Sequence, residues 1–175
     1  MNKLSPINTL MWIFLVSTIF ILQRTEVIDT NQLLTSKENG WWSILTGPLL
    51  HGSFGHFSGN MVGLIIGTSL LINMYRKYYF KVVLFGFIIP PAVMYFLDSR
   101  SLGISGLVFA TIWFVAIRGL LSLNWVRFGT GIIVLFFYGS SLSTALPIAS
   151  RGIAWEAHLA GLITAIIMAM YSRSK

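Results

Sequence analysis

Long apolar runs separated by short polar connections make up most of this chain. A helix of about 20 mostly apolar residues crosses the hydrocarbon core of a bilayer, so runs of roughly that length predict transmembrane helices. Six runs qualify, and they predict an all-α, polytopic membrane protein built as a bundle of six transmembrane helices. The predicted spans are Ile7–Leu22, Phe57–Tyr75, Tyr79–Leu97, Gly103–Leu123, Phe128–Leu146 and Ile153–Tyr171.

The connections give no sign of a second domain, so residues 1–175 are predicted to form a single transmembrane domain. The longest connection, 23–56, carries most of the acidic residues and the pair Trp41-Trp42. Tryptophan favours the membrane–water interface, so this connection is expected to lie partly on or in the membrane. Within the third run, Pro90-Pro91 predicts a kink.

Composition supports a membrane protein. The chain is 55% hydrophobic and 10% charged, with a mean hydropathy of +0.78, whereas a soluble domain carries about 25% charged residues. It contains no cysteine, which excludes a thiol nucleophile, disulfides and thiolate metal sites. The three histidines have no nearby carboxylate that completes a convincing metal site, so we expect neither metal nor cofactor.

The net charge of +7 predicts orientation, not nucleic-acid binding, because the basic residues never form a run longer than Arg76-Lys77. With six spans, both termini lie on one side of the membrane. Basic residues mark the cytoplasmic side, so both termini are predicted to be cytoplasmic. That side carries no acidic residue and these basic ones: Lys3, Arg76, Lys77, Lys81, Arg118, Arg127, Arg173 and Lys175.

Polar residues recur at the outer ends of the second, fourth and sixth spans, which all run inward. His56 and Asn60 open the second span, Ser105 opens the fourth, and His158 lies five residues into the sixth. At 1.5 Å per residue, each lies roughly 5–10 Å below the outer surface. Polar groups inside a membrane are costly, so their shared depth indicates a functional site.

The residue types favour nucleophilic catalysis. A serine hydroxyl becomes a good nucleophile when a base accepts its proton, and His158 is the candidate base for Ser105. Acyl transfer also needs hydrogen-bond donors for the developing oxyanion. His56 and Asn60 are four residues apart on one helix face and can both donate, and the start of the Ser105 helix offers unpaired N–H groups.

Each residue taken alone has an ordinary structural interpretation. A serine in a span often bonds to its own helix, and a histidine such as His158 often serves packing or an interhelical hydrogen bond. His56 and Asn60 could be interfacial polar residues, and His51 could be a loop or interface residue. Together with Ser105, the combination at one depth favours catalysis.

Small residues favour close packing around this site. Gly59, Gly63 and Gly67 recur every four residues along the second span, and Gly161 begins a similar stripe one turn below His158. Gly103 and Gly106 flank Ser105 and allow a sharp turn and a close approach of the backbone. Phe109 shares the face of Ser105 and could pack against the His158 ring, a neighbouring helix or lipid.

These motifs resemble the rhomboid family of intramembrane serine proteases, in its minimal six-span bacterial form. The matching segments run from about Trp41 onward and are His51-x4-His56-x3-Asn60, Gly103-Ile104-Ser105-Gly106-Leu107-Val108-Phe109 and Ala157-His158-Leu159-Ala160-Gly161. The resemblance implies Ser105 as nucleophile and His158 as general base. It implies His56, Asn60 and the Ser105 backbone as the oxyanion site, with Gly103, Gly106, Phe109, Gly161 and His51 in support.

Two departures accompany this resemblance. The family often has Trp-Arg in the first loop, where this chain has Trp42-Ser43, and a glutamate in the second span, where this chain has Leu71-Ile72-Asn73. The segment around Glu156 is also similar to that of the rhombosortases, which process C-terminal sorting tails. Glu156 itself is expected at the outer surface without a catalytic role.

The sequence therefore predicts a serine-type endopeptidase in the bacterial inner membrane. It would cut transmembrane protein substrates with a Ser105–His158 dyad, in a site open to the outer side. Lipid and membrane proteins are the expected partners, nucleic acid is not, and the oligomeric state stays undetermined. One alternative is an inactive rhomboid-fold protein that binds membrane clients. Another is a small transporter or channel, which would favour inverted repeats or broken helices with charges at the membrane midplane.

Overall fold

A computed structural model describes residues 4–148 and 152–173 of the chain. The secondary-structure elements of this part are helices, with one isolated antiparallel bridge between Thr35 and Ser101. The α-helices are α1 Leu4–Arg24, α2 Thr30–Leu33, α3 Ser43–Thr46, α4 Phe54–Phe96, α5 Ser105–Leu120, α6 Trp125–Tyr138 and α7 Trp155–Arg173. Two 3-10 helices, Gly47–Leu49 and Gly139–Ala145, follow α3 and α6.

Helix α4 contains the second and third predicted spans, with a break between them. Tyr75 has the non-helical dihedral angles φ −138° and ψ 37°, and the backbone stays helical at Pro90 and Pro91. Gly67 and Gly86 contact Thr111 and Ala110 of α5, respectively. In a straight helix these glycines would be about 28 Å apart, so the chain doubles back at Tyr75 and both halves of α4 flank α5.

Each predicted span coincides with helix in the described residues. Two helical stretches, Phe54–Phe96 and Trp125–Ala145, are long and apolar enough to cross a membrane by themselves. Thr9–Arg24 and α5 are apolar but shorter. The helical architecture is thus as predicted, whereas the number of membrane crossings stays a prediction.

Helix α5 forms the centre of the bundle, and most of its side chains are buried, including Phe114, Val115 and Ala116 at 0% exposure. Small residues let its neighbours approach closely. A Cβ at Gly63 would meet Val108, one at Gly86 would lie 2.6 Å from the Ala110 Cβ, and Gly119 and Gly131 of α6 face each other. Gly59, by contrast, has nothing within 4 Å.

The long first connection is folded against the loop that leads into α5. Thr35 and Ser101 exchange two main-chain hydrogen bonds of 2.9 and 3.0 Å, and the Gly103 N–H donates to the Gly47 carbonyl at 3.1 Å. Gln23 clamps the backbone of His51, donating to its carbonyl at 2.9 Å and accepting from its N–H at 3.0 Å. The connection is thereby anchored through its backbone groups, and the residues that the structure describes contain no arginine–glutamate ion pair.

Candidate active site

Ser105 is the first residue of α5, directly after a turn that only glycine adopts easily. Gly103 has φ +109°, in the region that disfavours side chains. A Cβ there would lie 2.6 Å from His56 Cε1 and 3.4 Å from Asn60 Nδ2. The missing side chain therefore lets the turn lie against the two proposed oxyanion donors, with the Ser105 backbone at a helix N-terminus, where N–H groups lack intrahelical partners.

His158 projects from α7 onto Ser105. Its Nε2 lies 2.9 Å from the Ser105 Oγ, within hydrogen-bonding distance. Its ring stacks on Phe109, with the ring centroids 4.5 Å apart and the planes inclined by 12°. Of the three surroundings considered for Phe109, the structure therefore has the packing against the imidazole.

Two glycines let α5 lie close to its neighbours, Gly161 toward α7 and Gly106 toward Pro90 of α4. A Cβ at Gly161 would collide with the Gly106 carbonyl oxygen and lie 2.9 Å from the Phe109 Cβ. A Cβ at Gly106 would collide with the Pro90 ring. Backbone contact thus determines the spacing of the helices that carry Ser105 and His158.

The second nitrogen of His158 has partners that the sequence analysis missed. Nδ1 lies 3.1 Å from the Thr144 carbonyl oxygen and 3.0 Å from the Thr144 Oγ1. Thr144 belongs to the 3-10 helix Gly139–Ala145 at the end of α6. The sequence does show a cluster of hydroxyl residues at the end of the fifth apolar run. The cluster does not by itself indicate which hydroxyl contacts the imidazole.

His56 and Asn60 lie on the first turns of α4. Ser53 caps this helix by accepting a hydrogen bond from the His56 N–H at 3.1 Å. Asn60 is buried and its Nδ2 lies 3.0 Å from the His51 Nε2. An amide nitrogen carries two N–H groups, so Asn60 can donate one to His51 and still has a second to donate.

His51 is a buried support in the loop before α4, with 1% of its surface exposed. Its pKa is lowered from 6.5 to about 4, mainly by burial and secondly by the nearby His56. The Leu49 backbone opposes this weakly, although no hydrogen bond of good geometry meets the His51 Nδ1. His51 is therefore neutral near pH 7, as its acceptor role toward Asn60 requires.

These residues surround one cavity of about 1000 Å³. Ser105, His158, His56 and Asn60 all line it. Its remaining polar lining includes Ser53, Ser99, Ser101, Arg100 and Glu156. In the described part of the chain, no group of three or more His, Cys, Asp or Glu side chains could hold a metal ion. The arrangement suits acyl transfer, with a hydroxyl, a base and donors facing one polar space.

Comparison with known families identifies the chain. A family model described as "Rhomboid domain" matches residues 38–175. The chain belongs to the rhomboid family. This rhomboid therefore has the all-helical fold of a family of intramembrane proteases, and its family and apolar helices together indicate an integral membrane protein.

Two similar relatives come from mycobacteria. An uncharacterized protein of Mycobacterium leprae is 28% identical over 170 residues, covering 90% of this rhomboid and 66% of the relative. An uncharacterized protein of Mycobacterium tuberculosis is 25% identical over 162 residues, covering 81% of this rhomboid and 63% of the relative. The chain thus spans less than two thirds of the length of the latter relative, and neither relative's name states an activity.

Proposed function

We propose that this rhomboid is an intramembrane serine protease that hydrolyses peptide bonds in or beside transmembrane helices of other proteins. The observation that carries the proposal is the 2.9 Å contact between the Ser105 Oγ and the His158 Nε2 in a polar cavity. A serine and a histidine in such contact form the smallest unit of serine-type nucleophilic catalysis. An inactive client-binding rhomboid would have no need of this contact.

In the proposed acylation step, the Ser105 oxygen attacks the substrate carbonyl carbon while its proton passes to the His158 Nε2. The carbonyl oxygen becomes an oxyanion that can accept hydrogen bonds from His56, Asn60 and the Ser105 N–H. The tetrahedral intermediate then expels the amine, which receives the proton from His158. An acyl-enzyme and a free amine-side fragment result.

In deacylation, a water molecule gives a proton to the His158 Nε2 and attacks the ester carbon. The second tetrahedral intermediate expels the Ser105 oxygen, which takes the proton back, and a carboxylic acid fragment is released. No further reactant is needed. The predicted cytoplasmic termini and six crossings would make the cavity open to the outer side, where water enters.

The proposed substrates are transmembrane helices that unwind easily near the outer surface. A regular helix keeps its carbonyl groups in internal hydrogen bonds, and unwinding inside a bilayer leaves backbone groups unpaired. The cavity provides polar groups that can replace those bonds. Cleavage of C-terminal sorting tails stays a finer prediction within this class.

Cleavage of a transmembrane substrate by purified protein tests the proposal. Ser105→Ala and His158→Ala should each abolish cleavage, since they remove the nucleophile and the base, and a fluorophosphonate probe should label the wild type but not Ser105→Ala. Ser99→Ala is the matched control, because Ser99 lines the same cavity without contacting His158. Cleavage that persists in Ser105→Ala contradicts the proposed dyad. Folded wild type that neither cleaves nor reacts with the probe favours an inactive client-binding rhomboid.

A further inference from the structure

On the side of His158 that faces away from Ser105, Nδ1 has one hydrogen-bonding residue among those the structure describes, Thr144, which offers two oxygen atoms. The Nδ1 atom lies 3.1 Å from the Thr144 carbonyl oxygen and 3.0 Å from its hydroxyl oxygen. Thr144 is not part of the lining of the cavity. It could therefore act on the reaction only through the imidazole.

The Thr144 hydroxyl group donates its hydrogen bond to another residue of the chain, not to His158. Its Oγ1 donates a hydrogen bond of 2.7 Å to the Ser141 carbonyl within the same 3-10 helix. A hydroxyl has a single proton to donate, so toward His158 this oxygen can only accept. The Thr144 carbonyl can only accept as well.

These hydrogen bonds determine which nitrogen of a neutral His158 carries the proton. Two acceptors face Nδ1, so the proton lies on Nδ1 and leaves a lone pair on Nε2. The Nε2 lone pair is what Ser105 needs, because its hydroxyl must donate to the base before it attacks. Thr144 thus supplies the tautomer and the ring orientation for which many serine hydrolases use a carboxylate.

We propose that Thr144 is a positioning residue that orients His158, fixes its tautomer and stabilises the imidazolium formed during acylation. This inference rests on the proposed protease function. The Ser141 carbonyl keeps the Thr144 hydroxyl in its accepting orientation, so the 3-10 helix Gly139–Ala145 acts as one unit with the base. Stacking of Phe109 on the opposite element, α5, confines the ring in the remaining direction.

Three variants distinguish the effect of the Thr144 hydroxyl on activity from the effect of the shape of its side chain. Thr144→Val retains the branched shape and the carbonyl but lacks the hydroxyl, and kcat should fall about three- to tenfold with little change in KM, as expected for loss of one neutral hydrogen bond. Thr144→Ser keeps the hydroxyl and should retain wild-type kcat. Thr130→Val is the matched control, because the Thr130 hydroxyl bonds only the Val126 carbonyl of its own helix.

The pH profile distinguishes positioning from a merely structural role. Losing the hydroxyl acceptor disfavours the imidazolium, so the acid limb of kcat in Thr144→Val should move to lower pH, whereas partial unfolding would lower kcat at every pH. Among residues 4–148 and 152–173, the other charged or titratable groups that line the cavity are His56 on α4, Arg100 in the loop before α5 and Glu156 on α7. They are unchanged in all three variants.

Nitrogen-15 NMR of the histidines tests the tautomer without any protease assay. Spectra of the full chain, assigned with His158→Gln, should show neutral His158 protonated on Nδ1. Protonation on Nε2 would overturn the proposal about Thr144 whether or not the protein is a protease. An unchanged kcat and pH profile in Thr144→Val, or an equal loss in Thr144→Ser, would also overturn it.

Discussion

Individual residues determine how the proposed oxyanion donors, His56 and Asn60, are oriented. Gly103 brings its turn against His56 and Asn60 because no side chain stands between them. Asn60 is oriented by His51, which lies in the preceding loop and can accept only while Nε2 is unprotonated. The protonation state of His51 thus controls the orientation of the Asn60 amide and of its remaining N–H.

Acidification should destabilise the protein through His51. Its pKa is lowered from 6.5 to about 4 by burial, so the stability gained from keeping it neutral is fully present above pH 6.5 and is lost as the pH falls toward 4. Thermal unfolding in detergent should show a steeper decrease of Tm over this window for wild type than for His51→Gln, which can still bond Asn60 but does not titrate.

Equal slopes for wild type and His51→Gln would show that the loop imidazole does not govern acid stability. Glu38→Gln serves as the control for general charge effects, since Glu38 is an acidic residue in the same loop region.

At the scale of elements, small residues decide how α4 and α7 approach α5. The sequence predicted a stripe of Gly59, Gly63 and Gly67, yet in the structure only the last two contact α5. The spacing of the glycines identifies one face of the helix. It does not show how far along that face the neighbouring helix stays in contact. The apolar pattern predicted the long helices and also the reversal at Tyr75, because the second predicted span ends there and Arg76-Lys77 separate it from the third.

Alanine substitutions should separate the two kinds of glycine. In Gly67→Ala the new Cβ would collide with the Thr111 hydroxyl and lie 3.1 Å from the Thr111 Cβ, so we expect a loss of about 1–3 kcal/mol in the free energy of unfolding. In Gly59→Ala the Cβ meets nothing within 4 Å, so helix propensity should make it neutral or stabilising by up to about 1 kcal/mol. Equilibrium unfolding in mixed micelles measures both, and equal effects would contradict the packing described.

At the scale of the whole molecule, a folded connection supports the candidate site from outside the helix bundle. Sequence reasoning placed Ser105, His158, His56 and Asn60 together because they share one depth. It did not predict the Thr35–Ser101 bridge or the bond from Gly103 to Gly47, because main-chain hydrogen bonds between loops leave no mark on residue type. Thr144 was missed for a related reason, since half of its contact with His158 is made by a carbonyl group.

Gly47→Ala should weaken this support and the site together. Gly47 is buried with helical backbone angles, but a Cβ there would collide with the Thr35 hydroxyl and lie 2.5 Å from the Thr35 nitrogen. We expect a loss of about 1–3 kcal/mol in stability and slower labelling of Ser105 by a fluorophosphonate, because the Gly47 carbonyl accepts from Gly103. Gly55→Ala is the control, since its Cβ would have only the Ser53 Oγ at 4.0 Å. Equal rates of Ser105 labelling in Gly47→Ala and Gly55→Ala would contradict the idea that this loop supports the candidate site.

The volume of the cavity has a consequence for the order of product release. A space of about 1000 Å³ corresponds to roughly thirty water molecules at about 30 Å³ each. A substrate strand that fills the cavity displaces the same water that deacylation consumes. In the proposed reaction we therefore expect water to return to the cavity, and the amine-side fragment to leave, before the acyl-enzyme is hydrolysed.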